Sequence, residues 1–352
     1  MRPFVDVVIP VHSAERPIER AVESATHGTG AEVRVTVVCH GLARSEIARR
    51  VADARVRVVQ HDDGVASPAG PMNAGFALAD AVYVSRLDSD DWFEPGALAA
   101  WMAVAQSTNA DAVIAPIRWG EAPPHYAPLT RPFTHAKLDP VRDRVAYRTA
   151  PFGLLRRQTL TRLDARFTEG LVVGEDLEIG LKLWFLSHRV DLAVHAPSYV
   201  VGDDAMDRTT EVRRPLEHEL AASQRVIQQE WLQRLSRGAR RAIAIKIVRI
   251  HVLGALRARP TANLWADADI VYLGSLLDDL EKLAPGLLAV FTRAETQLIS
   301  LLRDSPTQQQ CETAISRFGS ARGLDTLLTR NLLSNGDRES TLRRYLRYRL
   351  PR

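Results

Sequence analysis

Three carboxylates are crowded into residues 88–91, which read Asp-Ser-Asp-Asp. They directly follow a short β-branched run at residues 82–84, and ligands of open α/β sheets bind at the carboxyl ends of the strands. Three negative charges at such a place repel one another unless a cation lies between them. A divalent cation such as Mg²⁺, which takes one or two carboxylates and completes its shell with phosphate oxygens and water, satisfies this pattern. The alternative is that the carboxylates cap a helix that begins near Pro95.

A second acidic pair, Glu175 and Asp176, follows Gly174 and opens an amphipathic segment with apolar residues at helical spacing. A carboxylate at the start of such a helix is suited to act as a general base toward a substrate hydroxyl. Capping of the helix is again the alternative interpretation.

The elements that must position these residues follow an alternating pattern. Short β-branched runs and amphipathic stretches alternate over the first 120 residues, which is typical of βαβ units and a mostly parallel sheet. The strands are predicted at residues 5–10, 33–38, 56–59, 82–84 and 112–117. The helices are predicted from Pro17 to near Gly28, around 47–51, at 72–81 and from about 95. From about residue 213 the pattern is helical, with Ile270, Leu273 and Leu277 at helical spacing.

Charge divides the chain into two parts. The whole sequence of 352 residues has a net charge of +4, but residues 1–210 carry 23 Lys and Arg against 27 Asp and Glu, a difference of −4. Residues 211–352 carry 23 against 15, a difference of +8. We therefore predict an α/β domain over 1–210 that is able to hold a cation, and a basic helical domain over 211–352 that favours an anionic partner.

Composition excludes several classes of protein. With 46% hydrophobic and 25% charged residues the chain is an ordinary globular protein. Its two cysteines, Cys39 and Cys311, allow neither a disulfide framework nor a zinc ribbon, which favours a reducing, cytoplasmic location. No apolar run reaches the length of a membrane-spanning helix.

Arginine-rich helices with apolar residues between the charges are predicted at residues 237–259 and 343–349. Such helices suit an anionic membrane surface, which would make the protein peripheral at the inner face of the cell membrane. A solvated face, or a face that forms a homo-oligomer through the helical domain, fits the same pattern. Nucleic acid is not expected as a partner, because no recognised binding motif accompanies the arginines.

Four short motifs, taken together, resemble a known family. Residues 7–11 (Val-Val-Ile-Pro-Val), 73–75 (Asn-Ala-Gly), 87–91 (Leu-Asp-Ser-Asp-Asp) and 174–176 (Gly-Glu-Asp) occur in the order and spacing of a family 2 glycosyltransferase with the GT-A fold. The resemblance covers roughly residues 4–200 and leaves the helical region unmatched.

The resemblance implies a role for each matched residue. Asp88 would face the sugar or ribose of a nucleotide-diphospho-sugar donor, and Asp90, with Asp88, would coordinate Mn²⁺ or Mg²⁺ on the diphosphate. Asp176, beside Glu175, would be the catalytic base of an inverting transfer to an acceptor hydroxyl. The remaining donor contacts are expected from Pro10, Val11, His12 and Asn73.

The sequence departs from the family after the second strand. Where many members have Asp-Asp-Gly-Ser, this chain has Cys39 followed by His40, Gly41 and Leu42. His40 can hydrogen-bond to a base or stack on it, but it does not reproduce the two acceptors of a carboxylate. We therefore expect Asp62 or Asp63, in the next loop, to supply the carboxylate that is missing at this position. The departure also weakens the inference, usual for the family, that the donor is a uridine nucleotide.

About thirty residues after the fifth predicted strand are rich in Pro, His and Arg, and a loop of that length predicts a flexible lid over the donor. His125 and His135 lack the spacing of metal ligands. Trp119 and Tyr126 in this segment would stack on an acceptor sugar or cover the core.

The predicted function is therefore glycosyl transfer to a glycan or lipid-linked acceptor in the synthesis of a cell-surface polysaccharide. One alternative is a catalytically impaired nucleotide-sugar-binding or scaffold protein, which the missing acid at His40 suggests. A second is a sugar nucleotidyltransferase, but that chemistry favours a Gly-rich phosphate loop and residues 11–15 contain no glycine. An NAD-dependent oxidoreductase is excluded because no GxGxxG motif follows a strand.

Overall fold

A computed structural model of the chain contains two compact units. The described residues are 3–29, 32–125, 127–203 and 214–350. The first unit consists of Met1–Ala127, Thr134–Leu138 and Arg148–Val212, and the second of Pro128–Phe133, Asp139–Tyr147 and Arg213–Arg352. The predicted domain boundary at residue 210 lies outside the described residues.

The first unit is built on a mostly parallel sheet. Its strands are β1 (Val5–Val11), β2 (Val33–Cys39), β3 (Val56–Gln60), β4 (Tyr83–Arg86), β5 (Trp92–Phe93), β6 (Ala112–Ile114), β7 (Ile117–Trp119), β8 (Gly153–Arg156), β9 (Val190–Leu192) and β10 (Tyr199–Val201). Within the described residues they form a seven-stranded sheet, in the order β3-β2-β1-β4-β8-β6-β9, and a three-stranded sheet, in the order β5-β10-β7. Strands β1 to β4 are parallel, whereas β8 runs antiparallel to β4 and β6. The β-branched runs fill the centre because strands of a parallel sheet are covered on both faces.

The helices of the first unit cover this sheet. They are α1 (Ile18–Thr26), α2 (Arg44–Arg50), α3 (Ala69–Leu78), α4 (Ala97–Thr108), α5 (Arg157–Arg162) and α6 (Leu177–Leu186). Helix α3 begins three residues before the predicted start, because Pro71 is tolerated in the first turn of a helix. A Cβ atom on Gly75 would lie 2.3 Å from Val8 Cγ1, so glycine at this position allows α3 to pack closely against β1.

The predicted strand at residues 112–117 is two strands in two sheets. β6 ends at Ile114 and joins the large sheet, while β7 begins at Ile117 and joins the small one. Pro116 lies between them and has no N–H to donate to a ladder, although its carbonyl accepts a hydrogen bond from Tyr199 N (2.9 Å). The sequence did not predict β5 or β10, which are two and three residues long.

The segment predicted to be a flexible lid is hydrogen-bonded into both units. In the first unit, Leu138 N donates to Val190 O at 2.9 Å and Lys137 N donates to Asp191 Oδ1 at 2.7 Å. The stretches Pro128–Phe133 and Asp139–Tyr147 belong to the second unit. Tyr126, considered above for acceptor stacking, lies outside the described residues.

The second unit is helical. Its α-helices are α7 (Leu216–Glu219), α8 (Ala221–Ile227), α9 (Glu230–Gln233), α10 (Arg237–Lys246), α11 (Leu253–Arg257), α12 (Asp267–Leu283), α13 (Arg293–Arg303), α14 (Gln308–Ser320) and α15 (Thr341–Arg349). A π-helical stretch, Ile247–Val252, connects α10 to α11, and 3₁₀ turns occur at Val145–Tyr147, Ala262–Leu264, Leu287–Val290, Gly323–Thr326 and Leu332–Gly336. The predicted apolar stripe on α12 is buried, including Ile270, Leu273 and Leu277. Among the described residues no helix has both the length and the apolar character needed to cross a bilayer.

Part of the predicted basic surface at residues 237–259 is inside the second unit. Lys246 and Arg259 are fully buried. Arg249 Nη1 lies 3.5 Å from Glu339 Oε2, and the same oxygen accepts a hydrogen bond from Tyr147 Oη at 2.8 Å. These three cations contribute to the interior of the unit, because buried charges need partners. They are therefore not available to a surface ligand, in contrast to the sequence-based expectation.

Candidate active site

The carboxyl ends of β1, β2 and β4 meet at one edge of the large sheet. Leu87 N donates to Val8 O at 3.0 Å and His40 N donates to Val11 O at 2.9 Å, so the residues after all three strands lie side by side. Pro10 and Val11 are buried at the end of β1, and His12 directly after them is exposed. This is the edge where ligands of open α/β sheets bind.

A single buried arginine connects the two acidic motifs. Arg86 is the last residue of β4, and its Nη2 lies 2.8 Å from both carboxylate oxygens of Asp88. Its Nη1 lies 3.5 Å from Asp176 Oδ2 and 4.0 Å from Glu175 Oε1. Motifs that are far apart in sequence therefore share one guanidinium group.

The surroundings of Arg86 keep it charged. The guanidinium carbon lies 5.2 Å and 5.3 Å from the ring centroids of Phe152 and Phe167. Burial by itself lowers the pKa of Arg86, but the neighbouring carboxylates, Asp88 first, outweigh burial and raise this pKa above its ordinary value. The sequence analysis missed this residue. The available signal was a charged side chain that ends an apolar strand immediately before an acidic motif.

Asp90 is also paired with an arginine. Arg16 Nη1 lies 2.5 Å from Asp90 Oδ2, and both side chains are largely buried. Arg20, one turn further along α1, donates to the backbone carbonyl of Asp90, and its guanidinium carbon lies 4.2 Å from the ring centroid of Trp92. The predicted metal ligand is therefore held by α1 and by the turn that precedes it.

Both carboxylate oxygens of Asp91 accept hydrogen bonds from the protein itself. Tyr199 Oη donates to its Oδ2 at 2.6 Å and Gly202 N donates to its Oδ1 at 2.8 Å. Burial, followed by the charges of Asp88 and Asp90, raises the pKa of Asp91 to about 8. Asp88 N in turn donates to Tyr199 Oη at 3.1 Å, so the small sheet fixes the acidic segment. Tyr199 was not predicted as a site residue, because the strand that carries it, β10, was not predicted.

Neither acidic cluster makes a side-chain capping hydrogen bond. Helix α4 has Gly96 as its N-cap residue, so residues 88–91 lie before its start, whereas Asp176 is the N-cap residue of α6 by position but its side chain accepts no cap hydrogen bond. Capping by side-chain hydrogen bonds therefore does not explain either motif. The carboxylates face Arg86 and Arg16 instead.

The loop before α6 holds Glu175 and Asp176 in place. Thr168 N donates to Glu175 O at 2.8 Å. Asn73 Nδ2 donates to Phe167 O at 2.9 Å, and Asn73 Oδ1 accepts from Phe167 N at 3.0 Å, so α3 is tied to this loop. Burial, with the charge of Asp176, raises the pKa of Glu175 to about 7. In this structure Asn73 supports the acidic pair, and its contact with a donor stays a prediction.

Polar residues after β2 and β3 form the other end of the site. His40 Nε2 lies 2.8 Å from Asp63 Oδ1. Asp62 Oδ1 accepts from Gly41 N at 2.7 Å, and the backbone hydrogen bond from Gly41 is the main reason that the pKa of Asp62 is lowered. Both carboxylates therefore lie beside the position where the sequence lacks the acid that many family members have.

Comparison with known proteins identifies this unit. Residues 6–163 match the family model described as glycosyl transferase family 2. Residues 6–163, most of which lie in the first unit, therefore belong to glycosyl transferase family 2. The prediction made from the four sequence motifs is confirmed.

Two known proteins are similar in sequence to part of this chain. The succinoglycan biosynthesis protein ExoO of Rhizobium meliloti (strain 1021) is 28% identical over 190 residues, which cover 49% of this chain and 53% of that protein. Chondroitin synthase of Pasteurella multocida (strain Pm70) is 30% identical over 100 residues, 27% of this chain and 10% of that protein. The match thus spans about half of the first relative and a tenth of the second.

A solved structure shares the fold. The crystal structure of S. aureus TarS 1-349 in complex with UDP-GlcNAc superposes with a TM-score of 0.71, covering 91% of this chain and 92% of that chain at 16% identity. The predicted GT-A fold is thereby confirmed.

The carboxylate oxygens of the glycosyltransferase domain suit a divalent cation that takes only part of its ligands from the protein. Within the described residues, no group of three or more His, Cys, Asp or Glu side chains is placed to hold a metal by itself. Asp88 and Asp90 provide two carboxylates at the site edge, which suits Mg²⁺ or Mn²⁺ that takes its other ligands from phosphate oxygens and water. Each carboxylate is already neutralised by a guanidinium group, Arg86 or Arg16.

Proposed function

We propose that this protein is an inverting glycosyltransferase that moves a sugar from a nucleotide-diphospho-sugar to an acceptor hydroxyl. The observation that carries this proposal is the convergence of Asp88, Glu175 and Asp176 on Arg86 at the carboxyl edge of the sheet. Transfer in one step requires a base close to the donor, and a carboxylate pair beside the acidic motif that is expected to face the donor supports this role.

Asp176 is the proposed general base. It takes the proton of the acceptor hydroxyl as that oxygen bonds to the anomeric carbon, while the bond from this carbon to the diphosphate oxygen breaks. Attack from the face opposite the leaving group inverts the anomeric centre without a covalent enzyme intermediate. Arg86 Nη1, 3.5 Å from Asp176 Oδ2, helps to hold this carboxylate at the edge of the site.

Asp88 and Asp90 are the proposed ligands of Mn²⁺ or Mg²⁺. The ion, when bound, stabilises the negative charge that develops on the leaving diphosphate. Arg86 orients the carboxylate of Asp88, and Arg20 holds the backbone of Asp90. The metal ligands are thus fixed by the protein before a donor arrives, which lowers the cost of reorganisation during the reaction.

A screen of nucleotide sugars tests the proposed activity. We expect release of a nucleoside diphosphate in the presence of a donor and Mn²⁺, and loss of that release after chelation of the metal. Binding of a nucleotide sugar without turnover with any acceptor would favour the nucleotide-sugar-binding or scaffold alternative. Failure to bind any nucleotide sugar, measured by calorimetry, would contradict the proposal.

The nucleoside is proposed to lie at the His40 end of the site. Asp62 lies beside His40, and its carboxylate has the acceptors that the imidazole lacks. TarS, which shares the fold, was crystallised with UDP-GlcNAc, which favours a pyrimidine nucleotide as the first donor to test.

Replacing Asp62 with Asn is expected to weaken binding of the preferred nucleoside diphosphate by about 10-fold, because a charged hydrogen-bond acceptor is replaced by a neutral amide. Calorimetric titration measures the change. Asp80→Asn is the matched control, since Asp80 precedes β4 at the opposite edge of the sheet and pairs with Arg34. Equal affinities of Asp62→Asn and the unaltered protein would remove Asp62 from the donor site.

The acceptor is proposed to be a glycan or a lipid-linked glycan of a cell-surface polysaccharide. ExoO and chondroitin synthase carry names that refer to polysaccharide synthesis, and both match the glycosyltransferase domain. Trp119 is 46% exposed and packs edge-to-face on His125, with ring centroids 5.0 Å apart. An exposed aromatic pair of this kind offers a surface on which a sugar ring stacks.

The end of the second unit is proposed to bind an anionic membrane surface. Leu332 and Leu333 (87% exposed) precede α15, which itself exposes Tyr348. The nearby carboxylates are neutralised internally, Asp337 by Arg241 among others, so the outward charge of this region is positive. Exposed leucine and tyrosine side chains next to arginines suit the headgroup region of a bilayer.

The double change Arg343→Gln and Arg349→Gln is expected to lower binding to phosphatidylglycerol-containing vesicles by about 10-fold or more, because each such charge contributes roughly 1 kcal/mol. Co-sedimentation against pure phosphatidylcholine vesicles measures the effect. The charge-matched control is Arg234→Gln, at the C-cap of α9, with Arg317→Gln, on α14. Self-association of the unaltered protein without vesicle binding would favour the oligomer alternative instead.

A further inference from the structure

Arg16 neutralises the carboxylate that is proposed to hold the divalent cation. Its side chain is 8% exposed, and Nη1 lies 2.5 Å from Asp90 Oδ2. Arg16 lies between β1 and α1, outside the four motifs that carry the family resemblance. An ion pair at this position is therefore a property of this chain rather than of those motifs.

The backbone around Arg16 is held independently of its side chain. Ile18 N donates to Arg16 O at 2.7 Å, and Arg50 Nη2 donates to the same oxygen at 3.0 Å. Arg50 is itself fixed by Glu19, with Nη2 2.6 Å from Oε2. Rotation of the Arg16 side chain thus requires no change in the turn that carries it.

The backbone of Asp90 is likewise held without Arg16. Arg20 donates to the carbonyl oxygen of Asp90 and lies over Trp92. The following residue, Asp91, is fixed by Tyr199 and Gly202. If Arg16 releases the Asp90 carboxylate, the acidic segment therefore stays in place, and only the pairing of that carboxylate changes.

A guanidinium group and a divalent cation compete for this carboxylate. Mg²⁺ binds a carboxylate oxygen at about 2.0–2.1 Å, and a guanidinium hydrogen-bonded to the same group would lie within a few ångströms of the ion. The two positive charges repel each other strongly at that distance in a largely buried site. A cation on Asp90 thus favours release of Arg16. The released guanidinium has the planar fork that binds phosphate through two parallel hydrogen bonds.

We propose that Arg16 is a diphosphate-binding residue that pairs with Asp90 until a donor arrives and transfers to the donor phosphates when a divalent cation takes Asp90. This inference rests on the proposed function, because the diphosphate is that of the proposed donor. Transfer of Arg16 from Asp90 to the diphosphate would couple the binding of metal to the binding of diphosphate. Metal alone must displace Arg16 without giving it a new partner, whereas metal and diphosphate together provide one, so the two ligands bind cooperatively.

Replacing Arg16 with Gln is expected to change two affinities in opposite directions. Mn²⁺ alone should bind about 10-fold more tightly, because its competitor for Asp90 is removed. Uridine or guanosine diphosphate, whichever the unaltered protein binds, should bind about 10-fold to 100-fold more weakly at saturating Mn²⁺, because a charged hydrogen-bonding partner is lost. Calorimetry on the full chain measures both, and Arg49→Gln, on α2, is the charge-matched control that should change neither.

Arg16→Lys separates charge from the shape of the guanidinium group. Lysine keeps the positive charge but not the fork, so we expect an unaltered affinity for Mn²⁺ alone and a weakened affinity for the diphosphate. If Arg16→Gln leaves both affinities unchanged, or lowers both together with Tm, Arg16 is a structural residue and the inference is overturned. If the unaltered protein binds no nucleoside diphosphate at all, the proposed function fails together with the inference, which is a distinguishable outcome.

Discussion

Asp176→Asn is expected to lower kcat for glycosyl transfer by about 10³-fold, because general-base catalysis contributes roughly 10² to 10⁴ and the amide does not accept the acceptor proton. The substitution keeps the size of the side chain, and Asp176 contributes no side-chain cap to α6. Folding should therefore be retained. Affinity for the nucleotide sugar should be unchanged, because the proposed base acts on the acceptor.

Glu178→Gln is the matched control for Asp176. It lies two residues later, in α6, and pairs with Lys182 at 3.1 Å, away from Arg86. We expect this variant to keep most of the transfer rate, since its partner is Lys182 and the substitution leaves the carboxylates at Arg86 unchanged. Near-normal transfer by Asp176→Asn, with donor hydrolysis also unchanged, would show that another group is the base. An equal loss in both variants would indicate damage to the helix instead.

Much of the sheet was predictable because parallel strands carry a strong sequence signal. Strands β1 and β2 are valine-rich and buried along nearly their whole length, and β3, at the edge of the sheet, is also valine-rich, so their types and bounds follow from local composition. The small sheet had no such signal. Strands β5 and β10 contain two and three residues, and their pairing joins Phe93 to Tyr199, which are distant in sequence. Such short strands are defined by tertiary contacts rather than by periodicity.

The acidic residues of the site were predictable, but their partners were not. Asp88, Asp90 and the pair at 175–176 stand out because carboxylates are unusual directly after buried strands and at motif spacing. Arg86 and Arg16 look like ordinary surface charges in the sequence. Their importance arises from burial and from partners on other elements, and neither quantity can be read from local composition.

The pairing of every site carboxylate has a consequence for how the site works. Asp88 is held by Arg86 and Asp90 by Arg16, while Asp91 is held by Tyr199. Buried carboxylates without partners would repel one another and distort the loop. The protein therefore neutralises the acidic motif with its own arginines while Tyr199 and Gly202 fix its backbone segment, so a ligand changes the pairing of the carboxylates and leaves the segment in place.

Replacing Arg86 with Gln is expected to damage both stability and catalysis. Its side chain is 6% exposed, and its removal leaves three carboxylates without their shared cation. Breaking a buried ion pair by removing one partner costs about 3–5 kcal/mol of the free energy of unfolding. We expect a clear fall in Tm and a loss of transfer of about 10³-fold or more. Arg162→Gln, a half-exposed arginine on α5, is the control and should change neither.

Arg86→Lys distinguishes positioning from simple charge balance. Lysine keeps the charge but does not reach Asp88 and Asp176 together, so Tm should recover toward that of the unaltered protein while kcat stays low. Recovery of both Tm and kcat would show that Arg86 acts only as a counterion.

A second test combines the Arg86→Gln change with Asp176→Asn in one double variant. If Arg86 acts through the base, removing it after Asp176 costs little further rate, because residues that act as a unit are not additive. Additive losses would instead place the effect of Arg86 on Asp88 and the donor.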